Sequence, residues 1–364
     1  MLHRLPAPRP DLLDAFDSMP PLAAALTPPA SWYLEPKMFA WERHEIFERN
    51  WLPLARRDQV AETGDFVTGD VIGNPYVVVR GGDGVLRGFH NVCRHHAAEV
   101  MRGSGRCREL RCGYHGWTYG LDGGLRRTPQ AGPLADFDRA DYGLVAFPVE
   151  EWGPFVFGHL AAGEAGRDLA GDLAPIADVA TDAARLQWVE GREYVMRCNW
   201  KVFVENSLDG GYHVPYLHRS LARGLSLERY KTTVFDRASV QRCGARGDDR
   251  LGDSVNYAWL FPNLFLNRYG AVLDTNVVLP LEPDRCLVRF DWYVDVDQTG
   301  GEVDPLWVKE IVEASDQIQQ EDVLACESVQ RGLGSSAVRR GRYSAELEGA
   351  VHAFHLMMHR AGRP

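Results

Sequence analysis

The spacing of apolar positions changes along the chain, from short β-like runs in its first part to a mixture of strand and helix periods beyond. From about Phe47 to Val149, runs such as Tyr76-Val77-Val78-Val79 are punctuated by glycine-rich turns. Gly81-Gly82-Asp83-Gly84 between two such runs predicts a hairpin, and Leu121-Asp122-Gly123-Gly124 and the segments around Pro148 and Pro154 predict further turns. The stretch reads as an all-β module of about a hundred residues. Residues Ala161 to Ala184, rich in Ala, Gly and Asp, predict a surface connection with one or two short helices. Beyond it the pattern predicts a strand through Trp188 to Cys198, a helix from about Trp200 to Gly211 and a β-rich stretch from Thr232 to Val296. A long helix follows from roughly Asp304 to Gln330, with Gly332 and Gly334 as its stop. The chain is therefore expected to be α+β, with an N-terminal segment (1–46), the β module (47–155) and a second domain (156–364) on which the N-terminal segment packs.

Composition adds bounds. At 364 residues, with 45% hydrophobic and 25% charged side chains, this is an ordinary globular chain of about two domains. Forty basic against fifty acidic residues give a net charge of −10, which argues against nucleic-acid or anionic-membrane partners. No run of eighteen apolar residues predicts a membrane span, and Pro and Asp interrupt the N-terminal stretch before a signal-peptide core forms. Seven cysteines, an odd number, fit a cytoplasmic address better than a disulfide framework, so they are read as ligands or core residues.

Four residues carry the first chemistry. Cys93-x-His95 is followed, after sixteen residues, by Cys112-x-x-His115. Each short loop brings one thiolate and one imidazole, which suits a [2Fe–2S] centre with both sulfurs on one iron and both nitrogens on the other. A zinc finger needs its cysteines paired in sequence, whereas here Cys and His alternate; a mixed-order zinc site is the bland alternative. A disulfide between Cys93 and Cys112 would leave both histidines without a purpose. Cys107, His90 and His96 fall outside the pattern. Gly113, Gly116 and Gly123 fit tight loops, with Tyr114 and Trp117 shielding the cluster.

With those motifs, the segment from Cys93 to Trp117 resembles the Rieske domain of the alpha subunits of Rieske non-haem iron oxygenases. The family usually has Arg where this chain has His96. The resemblance extends from Trp41 to the C-terminus, and the later segments are most similar to the choline monooxygenase-like branch. It implies a Rieske module followed by a helix-grip (START-like) catalytic domain with an antiparallel sheet and a long C-terminal helix.

The second constellation is His213 and His218, five residues apart. On an unbroken helix they would point about 140° apart, and Pro215 between them predicts a turn that lets the imidazoles converge. Two histidines and a carboxylate form the facial triad that leaves open positions on Fe(II). The C-terminal helix offers the carboxylate: its predicted apolar face reads Ile311, Ser315, Ile318, then Asp322, then Ala325 and Val329. A carboxylate on a buried stripe is costly unless paired or metal-bound. Glu321 is rotated about 100° away and Glu327 about 140°, which predicts solvated, supporting or capping roles. Glu205, Asp209 and His213, spaced by four, are expected on one helical face. The family places an acidic residue three before its first iron histidine, where it bridges to the cluster histidine of a neighbouring subunit. That position is Gly210 here, so Asp209 is the first candidate for the bridge and Glu205 the second. Asn206 matches a family position near the iron.

The resemblance implies a terminal oxygenase that uses O2 and electrons from a separate NAD(P)H-dependent reductase or ferredoxin, relayed by the cluster to the iron, in a head-to-tail homotrimer. No GxGxxG turn predicts a dinucleotide site within this chain. Hydroxylation or oxidative demethylation of a small quaternary ammonium compound, choline or a betaine, is the leading reading. An aromatic-ring-hydroxylating dioxygenase is the alternative, and a Rieske electron carrier without oxygenase activity the third. Tyr257, Trp259, Phe261, Phe265, Tyr269 and Trp292 are dense enough for a cation–π cage, with Asp274 or Glu282 as counter-charge.

Overall fold

The computed structural model describes residues 10–161, 168–180, 183–246 and 251–361. Two compact units emerge, one spanning Phe47–Arg167 and the other combining Met1–Ile46 with Asp168–Pro364. Of the expected connection from Ala161 to Ala184, the short helices Leu169–Leu173 and Ala177–Ala180 are present, and the remainder lies partly outside the described residues.

The first unit is built from short strands: β1 (Trp51–Arg56), β2 (Asp65–Val71), β3 (Asn74–Arg80), β4 (Leu86–His90) and β5 (Ser104–Arg106). After them come β6 (Leu110–Arg111), β7 (Thr118–Tyr119), β8 (Leu125–Arg127), β9 (Ala146–Phe147), β10 (Val149–Trp152) and β11 (Phe155–His159). They pair as three small sheets, ordered β1-β11-β10, β5-β2-β3-β4-β9 and β6-β7-β8. The expected hairpin joins β3 to β4, with Gly84 at φ +77° and Asp83 holding the Val85 N–H and the Arg87 guanidinium. The expected boundary at residue 155 is too early. Gly153 and Pro154 form a turn inside the β10–β11 hairpin, and the fully buried β11 pairs with β1 from Trp51↔His159 to Arg56↔Phe155.

The second unit holds one antiparallel sheet of β12 (Leu186–Met196), β13 (Leu225–Val234), β14 (Ala238–Ala245), β15 (Ser254–Leu260), β16 (Leu264–Tyr269), β17 (Val272–Glu282) and β18 (Arg285–Asp295). The strand order is β12-β18-β17-β16-β15-β14-β13. The β-rich stretch thus begins at Leu225, before the expected Thr232. A helix over Trp200–Leu208 packs on β17, β18 and the long helix Pro305–Leu333, and the last helix, Gly349–Ala361, meets it and β13. This is a helix-grip arrangement.

Two helix ends differ from expectation. Trp200–Leu208 stops three residues short of Gly211, because Gly210 and Gly211 adopt φ of +72° and +76°, which no right-handed helix accommodates. The long helix starts as expected, with the Asp304 carboxylate accepting from the Leu306 N–H, but it runs through Gly332 to Leu333. One glycine in a last turn costs only about 1 kcal/mol relative to alanine, too little to end a 29-residue helix. Its buried face follows Ile311, Ser315, Gln319, Asp322 and Cys326, and Val329 is exposed rather than on the stripe.

Candidate active site

In the first unit, two loops of one design carry the cysteines. The Cys93 carbonyl accepts from the Ala97 N–H and the Cys93 N–H donates to Ala98; the Cys112 carbonyl accepts from Gly116 and its N–H donates to Trp117. The fourth residue after each cysteine turns the chain with positive φ, Ala97 at +59° and Gly116 at +73°. Both sulfurs are buried in the core of the unit, while His95 and His115 are exposed, with ring centroids 4.6 Å apart. Two buried sulfurs and two exposed, paired imidazoles are a donor set that would suit a two-iron cluster held by two thiolates and two histidines. Trp117 is buried and stacks on His95 at 4.8 Å. Tyr114 lies on His115 at 3.8 Å but is itself 68% exposed, so only Trp117 does the expected shielding from within the core. The His96 ring sits 4.1 Å from that of His95.

In the second unit, the end of the Trp200–Leu208 helix sets the metal geometry. Asp209 is the residue at which the helix stops, and its carboxylate gathers the next turn: Oδ1 accepts from the Gly211 and Tyr212 N–H groups, Oδ2 from the His213 N–H and from His213 Nδ1 at 2.7 Å. The chain then makes one helical turn, Val214–Leu217, with Pro215 inside its first turn and His213 and His218 at its two ends. Proline thus starts a new turn here rather than only breaking an old one. The imidazoles converge, with centroids 4.8 Å apart and planes at 84°.

Asp322 meets them from the long helix. Its Oδ1 lies 3.0 Å from His218 Nε2 and 4.0 Å from His213 Nε2, and it accepts from Asn206 Nδ2 at 2.8 Å. One ligand atom from each of His213, His218 and Asp322 lies within 4.8 Å of the others. The other ring nitrogen of each histidine is taken: His213 Nδ1 by Asp209 and His218 Nδ1 by Glu321 Oε2, each at 2.7 Å. Protons held there leave two Nε2 lone pairs facing a carboxylate, three acceptors in one space. A divalent cation relieves that repulsion, so the residues fit a mononuclear metal. Burial pulls the His218 imidazole down, yet the hydrogen bonds and charges of Asp322 and Glu321 outweigh it and the net shift is upward, a site that favours positive charge.

Glu205 is not with this group. Asp209 caps the helix one turn after Glu205, and both carboxylates act on Glu348, but Gly210 and Gly211 carry His213 out of the helical phase; Glu205 accepts from Tyr33 Oη at 2.6 Å and pairs with His355 Nε2 at 3.0 Å instead. Glu327 accepts from the N–H of Arg197, in the link between β12 and the Trp200–Leu208 helix, rather than capping a helix.

A cleft with about 930 Å³ of empty space, partly open to solvent, lies over the triad. Tyr257, Phe265, Tyr269 and Asp274 line it as anticipated. Trp259 and Phe261 pack instead on Phe354 of the last helix, Trp292 sits against Phe290, and Glu282 pairs with Arg285 at the exposed end of β17. Phe203, Tyr230, Phe290, Asn267 and Asn276 also line it and were not anticipated. Strand alternation carried the signal for the last three: Asn276 pairs with Phe265 and Phe290, and Asn267 with Tyr257. Among the described residues, no helix is long and apolar enough to cross a membrane.

A module presenting two cysteines and two histidines, together with a helix-grip domain presenting two histidines and an aspartate, defines a two-centre iron oxidoreductase. Comparison with known proteins agrees: residues 50–138 match the Rieske [2Fe-2S] domain and residues 183–361 the catalytic domain of the ring-hydroxylating alpha subunit. Chloroplastic choline monooxygenase of Arabidopsis thaliana is 41% identical over 365 aligned positions, covering 96% of this chain and 86% of that protein. The carnitine monooxygenase oxygenase subunit of Escherichia coli (strain K12) is 28% identical, covering 92% of each. The solved structure of a quaternary ammonium Rieske monooxygenase, which gave insights into carnitine oxidation by gut microbiota and inter-subunit electron transfer, superposes with a TM-score of 0.84 at 26% identity, over 96% of this chain and 99% of that one. The chain belongs to the Rieske non-haem iron oxygenase alpha subunits. It is an oxidoreductase that incorporates oxygen from O2, with a Rieske [2Fe–2S] cluster and a mononuclear iron as its cofactors.

Proposed function

We propose that this chain is the terminal oxygenase for a small quaternary ammonium compound, choline or a betaine, and that His213, His218 and Asp322 hold its mononuclear iron. Cys93, His95, Cys112 and His115 hold the cluster. The observation that carries the reading is the double tether: Asp209 and Glu321 each occupy an Nδ1, which turns both Nε2 atoms toward Asp322 at the cleft. When bound, the two iron centres supply electron relay and oxygen activation.

The protein's own residues do the rest. Asp209 and Glu321 hold each imidazole in one tautomer and raise its basicity. Asn206 donates to Asp322 Oδ1 and fixes the carboxylate rotamer. Tyr230, Tyr257, Phe265 and Phe290 offer apolar and cation–π surface to an ammonium, and Asp274, whose oxygens accept from Asn267 Nδ2 and Tyr269 Oη, adds negative charge. The names of the relatives support the same substrate class. An NAD(P)H-dependent reductase or ferredoxin is the electron donor, and a homotrimer the assembly in which Asp209 bridges toward a neighbouring subunit's cluster.

Metal analysis and a substrate panel test this. Purified protein is expected to carry about three irons per chain, two from the cluster and one mononuclear. Asp322→Ala should fall to about two, keep its visible spectrum and make no product from choline, γ-butyrobetaine or L-carnitine with a surrogate reductase. Wild-type protein that carries only two irons, or an Asp322→Ala variant with unchanged product formation, would refute the ligand assignment.

A further inference from the structure

One buried amide in the cleft has an unused donor. Asn276, on β17, is 5% exposed and lines the cleft. Its Oδ1 accepts from Asn267 Nδ2 at 3.0 Å, and the same nitrogen donates to Asp274 Oδ1 at 2.6 Å. Both protons of Asn267 are thereby committed, which fixes the orientation of its neighbour: Asn276 offers oxygen to Asn267 and must send its own NH2 elsewhere. That Nδ2 has no hydrogen-bond partner, and of the unpartnered buried side-chain atoms among the described residues it alone belongs to a residue lining this cleft. Its cross-strand neighbours, Phe265 on β16 and Phe290 on β18, have no side-chain acceptor to offer. A buried donor left unpaired is costly, so its partner is to be sought in what enters the cleft.

We propose that Asn276 is a specificity-determining residue whose Nδ2 donates to an acceptor oxygen of the substrate, so that the cleft selects ammonium compounds bearing a hydroxyl or carboxylate over hydrocarbon analogues of the same shape. The inference rests on the ammonium reading above and deepens it. An ammonium group alone satisfies the aromatic walls; the oxygen satisfies the amide. Removing either member of that hydrogen bond, the amide or the oxygen, should have the same consequence.

Calorimetric titration of the iron-loaded protein under anaerobic conditions, where no turnover occurs, tests this with matched ligand pairs. Choline is compared with propyltrimethylammonium, which replaces the hydroxyl by methyl, and γ-butyrobetaine with (4-methylpentyl)trimethylammonium, which replaces the carboxylate by isopropyl. In the wild type, at least one oxygen-bearing member should bind roughly tenfold tighter than its partner, and Asn276→Leu should abolish that preference while changing the hydrocarbon member less than about twofold. Asn276→Asp keeps the shape and the acceptor for Asn267 but trades the donor for a negative charge, so it is read on the choline pair alone, whose two members carry the same single positive charge; a preference for choline should vanish there too. Loss of preference for choline alone assigns the hydroxyl, and for γ-butyrobetaine alone the carboxylate. Preferences that survive in both variants, or equal weakening of both members of each pair, overturn the proposal for Asn276 while leaving the ammonium reading intact. A wild type that binds none of the four ligands overturns both.

Discussion

The Tyr119 hydroxyl accepts from the Arg94 N–H at 3.0 Å and lies 3.3 Å from Cys93 Sγ, which leaves its own proton to point at the sulfur. Burial and that sulfur both push the phenol up, so it stays protonated throughout the working pH range. A hydrogen bond to a cluster sulfur favours the reduced, more negative state. Tyr119→Phe should therefore lower the cluster potential by roughly 40 mV, the one-electron equivalent of a hydrogen bond worth about 1 kcal/mol. An EPR-monitored redox titration measures it, and an unchanged or higher potential would remove the sulfur as the acceptor. A second residue-scale case is Lys201, fully buried against Glu42, which also accepts from Trp200 Nε1 at 2.8 Å. Burial pulls the lysine down and pushes the carboxyl up, while each partner's charge opposes the shift. Lys201→Met strands the carboxylate, and a loss of about 3–5 kcal/mol is expected at neutral pH. With its folded-state pKa raised above the unfolded value, Glu42 then destabilises the variant as pH rises, so the deficit should shrink as pH falls toward 4. Chemical denaturation at several pH values checks the sign. A deficit independent of pH would mean that lost packing, not the charge, is responsible.

At the scale of elements, the turn after the Trp200–Leu208 helix decides whether the proposed iron site at His213, His218 and Asp322 can form. Gly210 has φ +72°, and a Cβ there would lie 2.4 Å from the Leu347 carbonyl oxygen. Gly210→Ala thus combines left-handed strain of about 1–2 kcal/mol with a backbone clash, directly beside the carboxylate that orients His213. The expected result is loss of the mononuclear iron, from about three irons per chain to about two, with the cluster's visible spectrum unchanged. Three irons in that variant would show that the turn tolerates a side chain. This is also where the sequence was partly mute. That His95 and His115 meet between two matching cysteine loops, and that His213, His218 and Asp322 converge, was legible because each motif is short or lies on a buried helical stripe. The strand order and the pairing of β11 with β1 depend on contacts far apart in sequence. The fate of Glu205 depended on two partners far away in sequence, Tyr33 and His355. The four-residue spacing predicted one face for Glu205, Asp209 and His213, and positive φ at Gly210 and Gly211 took His213 off it. Asn267 and Asn276 were missed for another reason: an amide in a strand is unremarkable until the register places Asn267 between Tyr257 and Asp274 and Asn276 between Phe265 and Phe290.

For the whole molecule, the question is how two iron centres in two compact units serve one reaction. Each unit has its own core and its own donor set, so either centre can be removed without touching the other's ligands. If the working electron path runs from the cluster of one subunit to the iron of the next, as the proposed homotrimer requires, then damage to the two centres on different chains is complementary. Cys93→Ser should lack the cluster but keep the iron triad; Asp322→Ala should keep the cluster but lack mononuclear iron. Each alone should make no product. In a closed head-to-tail ring every interface joins one chain's first unit to the next chain's second, so any mixed trimer contains at least one interface at which an intact cluster faces an intact iron. In a trimer of either composition, one of its three interfaces is competent, so mixed trimers should turn over at about one third of the wild-type rate per trimer. Co-expression with two different affinity tags and sequential purification isolates those mixed trimers. Activity near one third supports transfer between subunits, whereas no activity in trimers of verified composition would place the electron path within a single chain.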